Sequence, residues 1–565
     1  MVLLYSEESR SIKVIIKFYC KPTAYKYILR GFLLGGIGLN ASESIFLTQA
    51  ENDKYALLME IVGLKRDELP VKKRIELSRN NQPLVEDVNL KQVAMLLNRS
   101  YGSLYNMYMS IIGDLKEIIG PDVDDIKTLF SVPTDAYHYL LVNKSEAFDF
   151  IKILLKGETV TFQEFWEAHD TSKATALRHL KGVRDLIRSF DIRMYYDPLR
   201  LEGDENKIHL VLTMLFWMAT EGHTWPFEDV KRDDALKAFD VAIDRFQLEK
   251  PNILTRELGA YSIVVTYFRL LQGHTVSTEL DGGFIRYPVP NMVSEYLKQP
   301  FEDQALRIKS ILAQMTQEEA MAESFNIYDI INFGPIQIQD ANPYMESYET
   351  RYKRYIPVIY EFVEAFIDQI PFDIKKYLNL DDANYQGFVQ TMISMTMTTY
   401  MFKQDVTSVL ADQMMESVEY LKPNDVLKQN IDDTVDYLLI NPKVSFLVKL
   451  REELVSGYYN VLRQMIQRFA PLNKVKVVVV TEQSFLGYLD LMTALNSVLY
   501  VDVSQSDADL RDADMVVTTS SIDLTGIVNP EAVMFKWHQN ADSDHFGRML
   551  GLLRGLWIQK SSIDD

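Results

Sequence analysis

A chain of 565 residues is too long for a single hydrophobic core, so several domains are expected. Its apolar share of 47% and charged share of 24% are ordinary for a folded globular protein and argue against long disordered regions. The single cysteine, Cys20, excludes an internal disulfide and a cysteine metal cluster, and we therefore expect a reducing, cytoplasmic location.

The net charge of −20 argues against binding nucleic acid over the whole surface, because phosphate contacts need Lys and Arg. Net charge averages over domains, however, and the local balance differs. Residues 65–79 hold six bases and three acids, and residues 173–200 hold seven bases and three acids. Acidic pairs such as Asp381-Asp382 lie further along the chain. The sequence therefore predicts a basic N-terminal region on an acidic body.

Residues 1–58 are interpreted as an N-terminal appendage of unknown role. The apolar run from Tyr27 to Leu39 is interrupted by Arg30 and is shorter than the about 20 residues that span a bilayer. Glu7 and Glu8 stand where a signal peptide would carry basic residues. We therefore expect no contact with a membrane.

A first helix pair is predicted within residues 59–130. From Val88 to Met107 the apolar residues recur at helical spacing, with Ala94 at the expected helix crossing. Ser100 or Ser103 would lie near the start of the second helix. The residues then expected to point outward as DNA contacts are Arg99, Tyr101, Ser103 and Asn106. An ordinary helix pair fits this segment equally well.

Residues 161–180 carry the strongest local pattern, within a domain predicted over 131–203. An apolar helix is followed by a short polar turn and by a second helix that Thr171 or Ser172 would cap. The predicted inner face of the second helix consists of Ala176, Leu177, Leu180 and Val183. The predicted outward residues are Lys173, Thr175, Arg178, His179 and Lys181. This is the arrangement of a helix-turn-helix, whose second helix enters the major groove; a two-helix corner with a solvated basic face is the alternative.

Residues 192–203 read as two short strands around the turn Asp197-Pro198. A hairpin directly after the second helix would be the wing of a winged helix-turn-helix. Arg193 and Arg200 on this hairpin would then contact backbone phosphates.

The rest of the chain divides into a helical part and a small α/β part. Residues 204–318 and 319–470 have helical spacing and are interpreted as two bundles. Residues 471–565 alternate between β-branched runs and helical segments, which predicts an α/β domain. Its predicted strands cover residues 474–480, 498–503, 514–518 and 532–536, with a helix near 487–496.

Three stretches resemble the Mga-type virulence regulators of Gram-positive bacteria, which are related to the anthrax toxin regulator. They are Ser172-Lys-Ala-Thr with Arg178 and Leu180, Leu199-Arg-Leu-Glu-Gly-Asp-Glu205, and Trp225-Pro-Phe227. The resemblance implies a mainly α, multidomain protein with two N-terminal helix-turn-helix domains, the second winged. Two helical phosphotransferase-system regulation domains (PRD-like bundles) and a C-terminal α/β domain like a phosphotransferase IIB component would follow. The implied function is a transcription regulator that binds double-stranded promoter DNA as a homodimer or higher homo-oligomer.

The resemblance also implies phosphorylation of histidines in the regulation domains, with a phosphotransferase-system phosphocarrier protein as partner. His223 and His274 are the candidates, although histidines with only a structural role at helix ends fit as well. Glu257 stands where the resemblance suggests a regulatory histidine. No histidine lies between His274 and His538, so the second bundle departs from the family pattern.

The sequence argues against catalysis. An active IIB component carries phosphate on a Cys or His in the loop after its first strand, but here the loop reads Thr481-Glu-Gln-Ser-Phe. We find no nucleotide-binding loop, no metal-ligand motif and no catalytic constellation, and we expect no enzyme activity, cofactor or metal. An RNA-binding antiterminator with the same regulation domains and a non-catalytic interaction scaffold are the alternative functions.

Overall fold

The structure is a computed structural model. It describes residues 44–79, 83–246, 250–276, 305–333, 348–378, 380–406, 424–469, 474–481, 489–520, 526–538 and 543–561, and the single residues 248, 293, 297 and 524. The described part is mainly helical, with one two-stranded hairpin and one four-stranded sheet. None of its helices is long and apolar enough to cross a membrane.

The N-terminal region is a set of short helices. They are α1 Gln49–Glu68, α2 Val71–Arg79, α3 Leu90–Leu96, α4 Tyr101–Ile119, α5 Ile126–Leu129, α6 Thr134–Asn143 and α7 Glu146–Lys156. A capping box between Thr48 and Glu51 starts α1, because each residue satisfies a backbone N–H of the other.

The expected boundary between residues 58 and 59 falls inside α1, so the folded region starts earlier than the sequence predicts. Phe46 is buried and lies edge-on to the ring of Phe148 in α7, with 6.1 Å between the ring centroids. Residues 44–58 therefore belong to the packed N-terminal region. Residues 1–43 of the expected appendage lie outside the described residues.

A second group of elements follows. It contains α8 Phe162–Ala168, α9 Lys173–His179, α10 Lys181–Ser189, β1 Arg193–Tyr196 and β2 Leu199–Glu202. The strands are antiparallel, with Arg193 opposite Glu202 and Tyr196 opposite Leu199, which confirms the predicted hairpin. The backbone N–H of Leu199 donates to the carbonyl of Val160, 2.9 Å away, and this bond ties the hairpin to the segment before α8.

The central region consists of helices that share one core with the N-terminal region. They are α11 Glu205–Thr220, α12 Arg232–Arg245, α13 Ile253–Leu271, α14 Ala305–Gln314, α15 Gln317–Phe333, α16 Tyr348–Tyr355, α17 Pro357–Gln369, α18 Ile374–Tyr377, α19 Asp382–Phe402, α20 Asp425–Leu439 and α21 Arg451–Phe469, with a 3₁₀ helix over Pro442–Leu450. The expected boundary between residues 318 and 319 falls inside α15. One contiguous hydrophobic core runs from Phe46 to Leu462.

The C-terminal region is an α/β unit, as predicted. Its elements are β3 Val475–Val480, α22 Leu489–Asn496, β4 Val501–Ser504, a 3₁₀ helix Asp507–Asp512, β5 Met515–Thr518, β6 Val533–Lys536 and α23 Ser543–Ser561. The sheet order is β4-β3-β5-β6 and every pairing is parallel. Separate hydrophobic clusters fill the two faces of the sheet, which explains the unbroken valine run of β3. Residues 482–485 of the loop after β3, which lacks the Cys or His of an active IIB component, lie outside the described residues.

Candidate nucleic-acid interface

Two segments of the N-terminal half share one local backbone geometry. We call residues 90–119 (α3, its turn and α4) the upstream motif, and residues 162–189 (α8, its turn, α9 and α10) the downstream motif. In each, a seven-residue helix is followed by a four-residue turn whose last residue is a serine. Ser100 and Ser172 cap the following helices by accepting from the backbone N–H of Ser103 and Thr175.

The two turns match bond for bond. Their second residues, Asn98 and Asp170, have φ of 50° and 51°, the left-handed conformation that Asn and Asp tolerate better than other side chains. The backbone N–H of Arg99 donates to the carbonyl of Ala94 over 3.0 Å. In the downstream motif the N–H of Thr171 donates to the carbonyl of Trp166 over 3.1 Å. The motifs can therefore be compared position by position.

The inner faces of both motifs are buried at matching positions. In the upstream motif these residues are Leu104, Tyr108, Ile111 and Leu115, and in the downstream motif they are Ala176, Leu180, Val183 and Ile187. Ala94 is also buried, at the expected helix crossing. This apolar packing fixes the orientation of each second helix and leaves its opposite face in solvent.

The outward face of the downstream motif is basic. Lys173, Arg178 and Lys181 are exposed, but they do not lie on one continuous helix as predicted. Helix α9 ends at His179 and α10 begins at Lys181. Leu180 is both the C-cap residue of α9 and the N-cap residue of α10. The glycine that follows, Gly182, has a close neighbour, because a Cβ added there would lie 2.7 Å from the carbonyl oxygen of Ile45.

Two of the predicted outward residues are engaged within the protein. The Nδ1 atom of His179 lies 2.9 Å from Oε1 of Glu146 in α7, so its ring faces the scaffold rather than solvent. The Oγ1 atom of Thr175 lies 3.0 Å from the Oγ of Ser172 and the residue is half-buried. His169, the first residue of the turn, forms a similar pair with Asp149 of α7 over 3.2 Å. Sequence reasoning missed both carboxylates.

The hairpin exposes its bases. Leu199 and Leu201 are buried, whereas Arg200 between them is exposed, as the alternation of a strand requires. The guanidinium carbon of Arg200 lies 4.2 Å from the ring centroid of Tyr195, a cation–π contact that orients it. Arg193 on the other strand is also exposed.

The outward face of the upstream motif has a different chemistry. The four predicted contacts, Arg99, Tyr101, Ser103 and Asn106, are all exposed. Large apolar side chains that the sequence did not single out are exposed beside them, namely Met95 (83%), Leu96 (58%), Tyr105 (43%) and Met109 (46%). Arg99 lies 3.8 Å from Asp53, and Tyr101 stacks on Tyr105 with 6.1 Å between the ring centroids. This face is apolar and close to neutral.

The exit of the hairpin is fastened to the central helices by a buried ion pair. Arg269 of α13, 2% exposed, donates from Nε to Oε1 of Glu205 over 2.5 Å and from an Nη atom to Oε2 over 2.9 Å. Burial would raise the pKa of Glu205, but the hydrogen bonds from Arg269 and the nearby His209 ring outweigh it and lower the pKa to about 2. Arg269 also donates to Gln272, whose amide donates to the carbonyl of Leu155 in α7.

A second link joins the central helices to the entrance of the hairpin. The Nζ atom of Lys207 lies 3.1 Å from Asp191 and 3.3 Å from Oε1 of Gln404. The amide of Gln404 donates to the carbonyl of Ser189, the last residue of α10. Both ends of the hairpin are therefore held by side chains from the central region.

The two candidate phosphorylation sites lie just after helix ends. His223 is exposed and its ring centroid lies 6.0 Å from that of Tyr139. His274 is exposed as a residue, but its imidazole is partly shielded from water. This desolvation, together with the charge of Arg269, lowers the pKa of His274. Glu257 forms an ion pair with Arg232.

Among the described residues, no three His, Cys, Asp or Glu side chains are grouped so that they would hold a metal ion. The features that stand out in this part of the molecule are the two motifs and their attachments.

Residues 134–216 match the sequence model of the Mga helix-turn-helix domain, a span that covers the downstream motif, the hairpin and most of α11. The chain carries an Mga helix-turn-helix domain. The resemblance to Mga-type regulators is thereby confirmed.

Two curated relatives come from Bacillus anthracis. The capsule synthesis positive regulator AcpB is 23% identical over 250 residues, which is 43% of this chain and 48% of the relative. The capsule synthesis positive regulator AcpA is 23% identical over 215 residues, which is 38% of this chain and 41% of the relative. The matches thus span less than half the length of these relatives.

Proposed function

We propose that this protein is a DNA-binding transcription regulator of the Mga type. The observation that carries the proposal is the basic outward face of the downstream motif, with Lys173, Arg178 and Lys181. It lies opposite an inner face on which Ala176, Leu180, Val183 and Ile187 are buried and Leu177 is half-buried. In a helix-turn-helix, residues near the start of the second helix reach base edges in the major groove. The Mga domain match and the two capsule regulators support the same function.

The hairpin would act as the wing and contact backbone phosphates through Arg193 and Arg200. Phosphate contacts fix the register of a protein on the duplex without reading sequence. The upstream motif would add contacts through Arg99, Tyr101, Ser103 and Asn106. Thr175 and His179 leave this set of contacts and become positioning residues, since His179 is paired with Glu146.

The central helices, within residues 204–470, would regulate the wing as two PRD-like bundles. The pair Arg269–Glu205 and the bridge from Lys207 to Asp191 and Gln404 support this role, because they hold the hairpin at its two ends. A ligand or modification that favours one arrangement of the bundles would shift the orientation of the wing.

His223 and His274 remain the proposed phosphorylation sites, with a phosphotransferase-system phosphocarrier protein as donor. A phosphoryl group on His274 would add negative charge near Arg269, which is engaged with Glu205. The proposed consequence is that phosphorylated His274 and the carboxylate of Glu205 would compete for Arg269. The C-terminal α/β region is proposed to be IIB-like and to support a homodimer or higher oligomer in the cytoplasm, without enzyme activity.

The test is an electrophoretic mobility shift with promoter-length duplex DNA, run across salt concentrations. The variant Arg178→Ala/Lys181→Ala is compared with wild type and with Lys428→Ala/Lys449→Ala, which removes two exposed lysines from the central region. We expect salt-sensitive binding that weakens only in the first variant, by about 1–3 kcal/mol per lost base contact.

Equal binding by all three proteins would move the DNA site away from the downstream motif. No binding by wild type at low salt would overturn the proposed function itself and would direct attention to RNA or protein partners.

A further inference from the structure

The shared geometry of the motifs makes three pairs of positions equivalent. Counted from the capping serines, Tyr101 corresponds to Lys173, Asn106 to Arg178 and Met109 to Lys181. All six side chains are exposed. The shared turn therefore leads into an amide and two largely apolar side chains in the upstream motif and three cations in the downstream motif, where Lys181 follows the interruption at Leu180.

These two sets of side chains suit different base pairs. Lys and Arg donate to O6 and N7 of guanine, which are both acceptors in the major groove. The NH2 group of an asparagine amide can donate to N7 of adenine while its carbonyl oxygen accepts from the N6 amino group. Apolar side chains contact the methyl group of thymine.

We propose that the two motifs divide the reading of one DNA site by base type. The upstream motif reads A·T pairs, with Asn106 on adenine and Met109 and Tyr101 on thymine methyl groups. The downstream motif reads guanine through Arg178 and Lys181. This inference rests on the proposed DNA-binding function and adds to it the class of sequence that each motif recognises.

The charges of the two faces assign them different shares of the binding. The one base among the predicted upstream contacts, Arg99, lies 3.8 Å from Asp53, so the upstream face contributes little net positive charge. Counterion release follows the number of phosphates that cations neutralise. The downstream motif and the wing therefore set the salt dependence, and the upstream motif contributes sequence preference that is nearly independent of salt.

Apolar side chains of α3 are exposed, and contact with a protein partner is an alternative explanation for them. Met95 and Leu96 lie on the first helix of the upstream motif, the one that crosses the DNA backbone in helix-turn-helix complexes. Apolar surface of this kind also marks protein contacts. The geometry shared with the downstream motif favours DNA, and binding to modified duplexes separates the two.

The experiment uses the full chain and duplexes selected from a random-sequence library by wild-type protein. The selected duplexes are remade with deoxyuridine in place of thymidine, which removes the methyl group, or with 7-deazaguanine in place of guanine, which removes the N7 acceptor. Binding of each duplex is measured for wild type, for Asn106→Ala/Met109→Ala and for Arg178→Ala, each at several salt concentrations.

We expect uracil substitution to weaken wild-type binding by about fourfold for each contacted methyl group, and to weaken binding of the upstream variant less, because that variant keeps only the Tyr101 contact. We expect 7-deazaguanine to weaken wild-type binding, and to weaken binding of Arg178→Ala less, because that variant keeps only the Lys181 contact. The slope of log affinity against log salt should stay constant in the upstream variant.

Salt-dependent binding that is insensitive to both base analogues would overturn this inference and leave the proposed function standing. The inference is also overturned if the upstream variant binds every duplex like wild type but changes its self-association in sedimentation, since its face would then be a protein contact. Absence of any wild-type binding would overturn the proposed function and the inference together.

Discussion

The upstream and downstream motifs have the same turn geometry and bury residues at matching positions. Their outward faces differ, because the upstream face carries mainly amide and apolar side chains and the downstream face carries cations. At one position the upstream motif carries Asn106 and the downstream motif Arg178, although both follow a serine cap by the same number of residues. The comparison shows that buried residues and the turn determine the local fold. The exposed residues are left to vary, and these are the residues that determine what each motif can recognise.

The largest expected effect concerns the ion pair between Glu205, which starts α11 directly after the hairpin, and Arg269 of α13. Arg269→Leu would leave the carboxylate of Glu205 buried without its partner, which costs about 3–5 kcal/mol of unfolding free energy. The loss is measured by urea denaturation at neutral pH. The double variant Glu205→Leu/Arg269→Met is the control, because removing both charges should recover most of the stability. A single variant as stable as wild type would show that this pair does not stabilise the packing of α13 against the start of α11.

The same pair predicts an acid sensitivity. The pKa of Glu205 falls from 4.5 to about 2 on folding. Ionised Glu205 therefore contributes about 3 kcal/mol to the free energy of unfolding above pH 4.5, and this contribution is lost as the pH falls towards 2. Urea denaturation across this range should show a flatter pH profile for Glu205→Leu/Arg269→Met than for wild type. Parallel profiles would contradict the assignment.

The next effect compares buried residues on the inner faces of the two second helices, α4 and α9. Leu104 and Ala176 are buried at equivalent positions. Leu104→Ala should cost about 2–5 kcal/mol through the cavity it leaves, and Ala176→Leu about 1–3 kcal/mol through overpacking. Equilibrium unfolding followed by circular dichroism measures both. If Ala176→Leu is neutral, the downstream motif has spare room at its crossing and the two inner faces are not equivalent.

A smaller effect follows from exchanging the outward chemistry. Asn106→Arg/Met109→Lys would give the upstream motif the cations of the downstream one, and should steepen the dependence of log affinity on log salt by up to about 2. Fluorescence anisotropy with labelled duplex DNA measures the slope. Val426→Lys/Gln429→Arg adds two cations at exposed positions of α20 as a control for net charge. An equal change in both variants would assign the effect to net charge alone.

The smallest effect tests the shared turn. Ser100→Ala and Ser172→Ala each remove one side-chain cap and should each cost about 1 kcal/mol. Urea denaturation of the two variants compares the costs directly. A cost confined to one motif would show that only that serine is an effective cap.

Much of this fold is readable from local sequence. The β-branched run of β3, the hairpin around Asp197-Pro198 and the cap at Ser172 all depend on residues close together in the chain, and each appears where it was predicted. The predicted strand beginning at Val498 starts instead at Val501, an error of the size expected at element ends.

The failures share a different cause. The side chain of His179 looks outward by helical spacing, but its partner Glu146 comes from another helix, and no local pattern announces that pair. Ile45 and Gly182 approach each other closely although they are far apart in sequence. Local sequence patterns do not reveal such a contact, and so they did not show that residues 44–58 are part of the fold. Exposure of Met95 was missed for a similar reason, since apolar residues at helical spacing are usually buried.

The hydrophobic core that runs from Phe46 to Leu462 places both motifs and the central helices in one thermodynamic unit, whereas the C-terminal sheet has clusters of its own. A ligand that binds only the folded form of a unit that unfolds cooperatively stabilises every part of that unit. A small molecule bound among the central helices would therefore raise the melting temperature of the motifs without touching them, by an amount set by its concentration relative to its dissociation constant. Occupancy of a site among the central helices would in this way also protect the two motifs against unfolding.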